Sequence, residues 1–128
     1  MSTSVTENIV ITVDTKFERG NTLDLIEDFL FSYHIKIQNQ SNQAVQLLSR
    51  HWYIFDSNGT YTEVKGEGVI GEQPIILPNQ IHEYQSFCNL KTDIGMMWGT
   101  YLMKRMDDNK LFEAKIPEFQ LITPSRLN

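Results

Sequence analysis

The chain has 128 residues and a net charge of −5, with hydrophobic residues at 41% and charged residues at 21%. That length fits one domain able to bury roughly two thirds of its unfolded surface without a metal or disulfide staple, and two Trp, five Tyr and seven Phe argue against intrinsic disorder. The acidic balance speaks against a nucleic-acid binder, whose affinity comes from clustered Lys and Arg; here the only tight basic pair is Lys104-Arg105.

Met1 to Glu7 lacks a basic stretch followed by an apolar run, so it reads as a frayed tail and not as a signal peptide. Ile9, Ile11, Val13 and Thr15 alternate with Val10, Thr12 and Asp14, the period of a strand with one buried face. Leu23, Ile26 and Leu30 sit at helical spacing with Asn21 or Thr22 as a cap, yet the β-branched and aromatic neighbours favour a loop feeding a strand. That strand holds Phe31, Tyr33, Ile35 and Ile37 on one face and ends at Asn39-Gln40-Ser41-Asn42.

Val45 to Phe55 predicts a third strand, with Leu48, Arg50, Trp52 and Ile54 on one face and Leu47, Ser49, His51, Tyr53 and Phe55 on the other. Asp56-Ser57-Asn58-Gly59 is a hairpin signal, and Tyr61 to Val64 returns from it. Ile81 to Phe87 forms a further strand. Met97 to Met106 and Leu111 to Leu121 make a second hairpin around Asp107-Asp108-Asn109, and Pro117 assigns the last strand to an edge or a bulge. About seven strands with turns every ten or so residues fit a single all-β domain, a sandwich or barrel over residues 1–128 with its ordered core at about 8–123. No segment approaches the ~20 apolar residues that cross a bilayer. Cys88 stands alone, which points to a reducing, cytoplasmic setting.

Many of these pieces, in this order, resemble the ApaG family. Val45 to Trp52, Asp56 to Gly59, Glu63 to Pro74, Leu77-Pro78, Tyr84-Gln85-Ser86, Gly95-Met96, Gly99-Thr100-Tyr101 and Ile116 to Leu121 carry the resemblance, over about residues 8 to 123. The resemblance implies a fibronectin type III-like, immunoglobulin-like antiparallel β-sandwich. It also implies a bacterial protein linked to cobalt and magnesium resistance or efflux, and a binding module, not an enzyme. Asn79, Phe87 and Thr92-Asp93 stand where the family commonly has Gly, Gly and Thr-Pro.

Gly66, Gly68 and Gly71 have the G-x-G-x-x-G spacing of a dinucleotide loop. Pro74 and Pro78 follow where that fold requires a helix, which excludes the Rossmann reading. A curled loop could still hold a phosphate through its N–H groups, though Glu67 and Glu72 flank it. His34, His51 and His82 lack partners at metal-ligand spacing, and no cofactor motif or nucleophile elbow appears. Met96, Met97, Trp98, Met103 and Met106 make a candidate apolar patch. Three functions follow: an interaction domain binding a protein partner or a second copy near Trp98 and Met103, a small-anion, pyrophosphate or nucleotide binder at Gly66 to Gly71, or a divalent-metal binder tied to cobalt or magnesium handling. None involves nucleic acid or a membrane.

Overall fold

The structure, a computed structural model, describes residues 1–20 and 28–127. Among these residues the chain forms nine strands: β1 (Ser2–Thr6), β2 (Ile9–Gly20), β3 (Phe29–Asn39), β4 (Val45–Asp56), β5 (Tyr61–Glu67), β6 (Ile75–Ile76), β7 (Ile81–Leu90), β8 (Ile94–Arg105) and β9 (Leu111–Ile122). A 3-10 turn, Pro124–Leu127, ends it. Two antiparallel sheets result. One has the order β1-β2-β3-β7, the other β5-β4-β8-β9, with the short β6 continuing the β5 edge of β4. The all-β sandwich expected from the alternation is the observed fold.

The alternating residues meet between the sheets. Ile9, Ile11 and Val13 of β2 and Phe31, Tyr33, Ile35 and Ile37 of β3 face Trp52, Met97, Tyr101, Ile116, Phe119 and Leu121, all buried. Trp52 is the centre of an aromatic cluster, edge-on to Tyr33 at 5.4 Å and to Phe119 at 5.8 Å between ring centroids. Such pairs add about 0.5–1.5 kcal/mol each beyond area burial.

Several expectations need correction. The first residues are not a frayed tail: Ser2–Thr6 pairs with β2 through a two-residue turn, Glu7-Asn8, both at positive φ. The faces of β4 are mixed, because the register shifts between Leu47 and Ser49. This bulge at Leu48 puts Leu47, fully buried, on the inner face with Arg50 and Trp52. The helical spacing of Leu23 and Ile26 lies outside the described residues, and Leu30 belongs to β3. Pro117 behaves as expected: β9 is an edge strand, and its register with β8 jumps from Phe119 to Ile116.

The two sides of the sandwich close differently. On one side β1 reaches across to β9, where Ser4 Oγ donates to the Lys115 carbonyl and the Lys115 N–H donates to Thr6 Oγ1 at 3.1 Å. On the other side β5 and β7 are both edges, and a cleft opens between them onto Tyr33, Arg50 and Trp52.

Cys88 lies near this cleft, only 7% exposed. Burial pushes its thiol up to about 11 from 9.0, with the Asp56 carboxylate adding to the shift. The folded chain therefore keeps a proton that the unfolded chain releases between about pH 9 and pH 11. By linkage, stability is full below pH 9 and falls on the order of 2 kcal/mol across that window. Burial raises the Tyr33 and Tyr101 phenols in the same direction, with their losses beginning near pH 10. Urea unfolding at pH 8 and pH 11 of the wild type and Cys88→Ala checks this. The variant should lose less stability over that interval, and an equal loss in both proteins would show that the thiol contributes nothing.

Candidate functional site

Arg50 lies on the inner face of β4, directly opposite Gly66 of β5. Its guanidinium occupies the space where a side chain at 66 would stand: a Cβ there would sit 2.7 Å from Nη2 and 2.8 Å from Nη1. Nη1 donates to the Glu67 carbonyl at 3.0 Å and to the Gly68 carbonyl at 2.8 Å. The glycine run thus presents acceptors to a cation.

The N–H groups of this run are largely engaged within the chain. Gly68 donates to the Leu48 carbonyl at 2.9 Å, and Val69 and Glu72 exchange N–H···O bonds of 2.8 and 3.0 Å. Ile70 and Gly71, both at positive φ, form the corner of this tight hairpin. Of the donors expected to form a phosphate nest at Gly66, Gly68 and Gly71, the Gly68 N–H is thus taken up within the chain. Gly68 and Gly71 serve the turn, and Gly66 makes room for Arg50. The segment then runs through Pro74 into β6, with no helix.

Arg50 also lines the inter-sheet cleft. Two adjoining hollows of about 290 and 160 Å³ share Tyr33, Arg50, Trp52 and Ser86 as walls. None of the ion pairs among the described residues involves Arg50. At the inner wall the Tyr84 and Tyr101 hydroxyls bond to each other. Burial drives the Tyr101 phenol well up despite the opposing guanidinium charge, so it stays a neutral donor and acceptor.

A second surface occupies the outer face of the β5-β4-β8-β9 sheet. Tyr53 stacks on Trp98 at 5.7 Å with the rings 8° from parallel, and Tyr61 tilts against both at 6.1 Å. His51 stacks on the other end of Tyr53 at 4.3 Å. Beside them Phe55 is 41% and Tyr61 52% exposed. The expected methionine patch divides: Met97 and Met103 are buried in the core, Met96 is half-buried and Met106 exposed, while Trp98 joins tyrosines from β4 and β5. Tyr53 and Tyr61 were missed as site residues, although the Asn58-Gly59 turn and strand alternation already put them on one face.

The histidines stand apart. His34 approaches Glu83 at 3.7 Å and His51 approaches Glu63 at 3.7 Å. Among the described residues, no group of three or more His, Cys, Asp or Glu side chains is placed to hold a metal ion, and no helix is long and apolar enough to cross a membrane.

By its fold the chain is an antiparallel β-sandwich domain with an arginine-lined cleft and an aromatic outer face. The ApaG domain model matches residues 21–105. Protein ApaG of Anaeromyxobacter dehalogenans is 48% identical over the full length of both chains. Protein ApaG of Methylocella silvestris is 45% identical over 97% of this chain and 95% of its own. A crystal structure described as an ApaA protein from Bordetella pertussis superposes with a TM-score of 0.84 at 34% identity, covering 91% of this chain and 94% of that one. The chain belongs to the ApaG family.

The hairpin makes opposite predictions for two neighbours. Gly68 has φ +61, and a Cβ there would lie 2.0 Å from the Glu72 carbonyl oxygen. Gly68→Ala should cost more than about 2 kcal/mol in urea unfolding. Ile70, a β-branched residue at φ 48 and 63% exposed, holds a conformation that Asn adopts more readily. Ile70→Asn should gain about 1 kcal/mol; a loss instead would show that the isoleucine side chain contributes more by contact than its backbone costs.

Proposed function

We propose that this ApaG domain is a non-enzymatic interaction module of the fibronectin type III-like kind, which seats a partner protein on the outer face of the β5-β4-β8-β9 sheet. The observation that carries this reading is the ring stack of Tyr53, Tyr61 and Trp98, displayed beside exposed Phe55 on a face that packs against no other part of the described chain. Aromatic side chains left half-exposed in one patch are typical anchors of protein interfaces. Glu63 stands among them, its carboxylate 3.5 Å from the Tyr61 hydroxyl.

Rings flanked by a carboxylate suit a partner segment bearing Arg or Lys, whose cation lies over a ring face. The net charge of −5 favours encounter with such a basic surface. The link to cobalt and magnesium efflux suggested by the family then acts through this partner, in the cytoplasm. The alternative, a small-anion or nucleotide-phosphate binder through Gly66 to Gly71, lies at the opposite, inner side of β4, where that loop meets Arg50.

The test is capture of bound protein from the native cell by the wild type and by a Phe55→Lys/Tyr61→Lys variant. Both positions are exposed, so the thermal midpoint should hold. The wild type should retain a specific partner that the variant loses by about tenfold or more. A partner held equally by both, or self-association unchanged in sedimentation, would overturn the assignment of this face.

A further inference from the structure

We infer that the cleft between β5 and β7 is a recognition pocket for a small organic oxyanion, a carboxylate or phosphate monoester attached to an apolar or aromatic group. The anchor is Arg50. A guanidinium has five N–H donors, and here only Nη1 has acceptors, the carbonyls of Glu67 and Gly68. Nη2 and Nε have no acceptor among the described residues, and no carboxylate pairs with the charge. Arg50 is partly buried, and these remaining donors face the open cleft, where an entering oxyanion can accept from them.

The setting supplies the rest of a pocket. The two hollows meet at Arg50, and each is walled by Tyr33, Trp52 and Ser86. Taken together they reach the lower range of volumes that take a small ligand. The Ser86 hydroxyl adds a polar group beside the guanidinium. The rim is apolar: Phe87 is 57% exposed at the mouth of one hollow and Ile70 63% at the mouth of the other. A bare phosphate would leave that rim wet, whereas an aromatic or alkyl group on the anion would cover it.

The acidic residues of the glycine run do not oppose this. Glu67 alternates with Gly66 on β5 and lines neither hollow; it borders a separate groove that Arg50, Lys65 and His51 also line, where Lys65 offsets its charge. Glu72 lines neither hollow. The hairpin fixes the guanidinium before any ligand arrives, so little side-chain freedom would be lost on binding.

The test is titration of the 15N-labelled full chain at matched ionic strength with four probes: phenyl phosphate, benzoate, inorganic phosphate and pyrophosphate. Saturable shifts are expected at the amides of Gly66 to Gly71 and Ser86 and at the Trp52 indole, with phenyl phosphate or benzoate at least about tenfold tighter than either inorganic anion. The ranking of phenyl phosphate against benzoate identifies the headgroup. Arg50→Gln should abolish the shifts. Phe87→Glu, an exposed substitution that leaves the hairpin intact, should weaken binding about tenfold or more and guards against a misfolded Arg50 variant. No saturable shift at about 10 mM probe, shifts that persist in both variants, or equal binding of inorganic and aromatic anions would overturn the inference.

Discussion

A cation set between two sheets must find acceptors, and in this sandwich the backbone provides them. Arg50 on β4 takes the carbonyls of Glu67 and Gly68. Only a residue without a side chain can stand opposite its flat guanidinium, hence Gly66. Once the carbonyl of Gly68 points inward, the chain must turn within a few residues, and the left-handed backbone of Gly68, Ile70 and Gly71 makes that turn. The Leu48 carbonyl, turned out by the bulge in β4, accepts from Gly68 N–H and from Gln73 Nε2. A glycine spacing that looks like a nucleotide loop is thus the consequence of one buried-edge arginine.

The same strand writes both candidate surfaces. Odd and even positions of β4 after the bulge alternate between Arg50, Trp52 and Ile54 inward and His51, Tyr53 and Phe55 outward. The asymmetry of closure decides what each face can do. Where β1 is tied to β9 by Ser4, Thr6 and Lys115, the core is sealed. Where β5 and β7 are both edges, the inner face of β4 remains reachable, and Arg50 can meet a ligand without any strand moving. The turns at either end keep this opening in shape: buried Asp56 binds the Lys91 N–H at 2.6 Å and the Thr92 hydroxyl, tying the β4–β5 corner to the β7–β8 turn.

Strand order and core were legible because period-two alternation reports a buried face directly, as in Phe31, Tyr33, Ile35 and Ile37. Turn chemistry was legible too: Asn79 and Asn109 take the left-handed conformations their type tolerates, at φ 68 and 58. The bulge at Leu48 was not, since an extra residue leaves no mark in local hydrophobicity, and it reversed the reading of Leu47 and Leu48. The first strand was missed because Ser2 to Thr6 is short and polar; its order comes from register with β2 and contacts to β9, both distant in sequence. For the sites, the glycine spacing marked the loop that turns beside Arg50, without showing that its carbonyls accept from the arginine. Arg50 falls on the Trp52 face by alternation, but no local pattern shows that its acceptors are backbone carbonyls seventeen and eighteen residues away.

An acidic chain holding an anion pocket is not a contradiction once distances enter. A contact between an oxyanion and a guanidinium at about 4 Å, at an effective dielectric near 20, is worth about 4 kcal/mol before desolvation. A surface carboxylate about 15 Å away, in water and beyond the Debye length of about 8 Å, contributes less than about 0.2 kcal/mol. Even the five excess negative charges of this chain then sum to less than the single contact, provided none of them faces the cleft. The alternation of β5 sends Glu63, Lys65 and Glu67 to the outer sheet surface and Val64 and Gly66 toward Arg50, while Asp56, whose charge reaches Cys88 on the cleft wall, is held by the Lys91 N–H and the Thr92 hydroxyl. Glu63 and Glu67 thus stand on the face that would attract a basic partner.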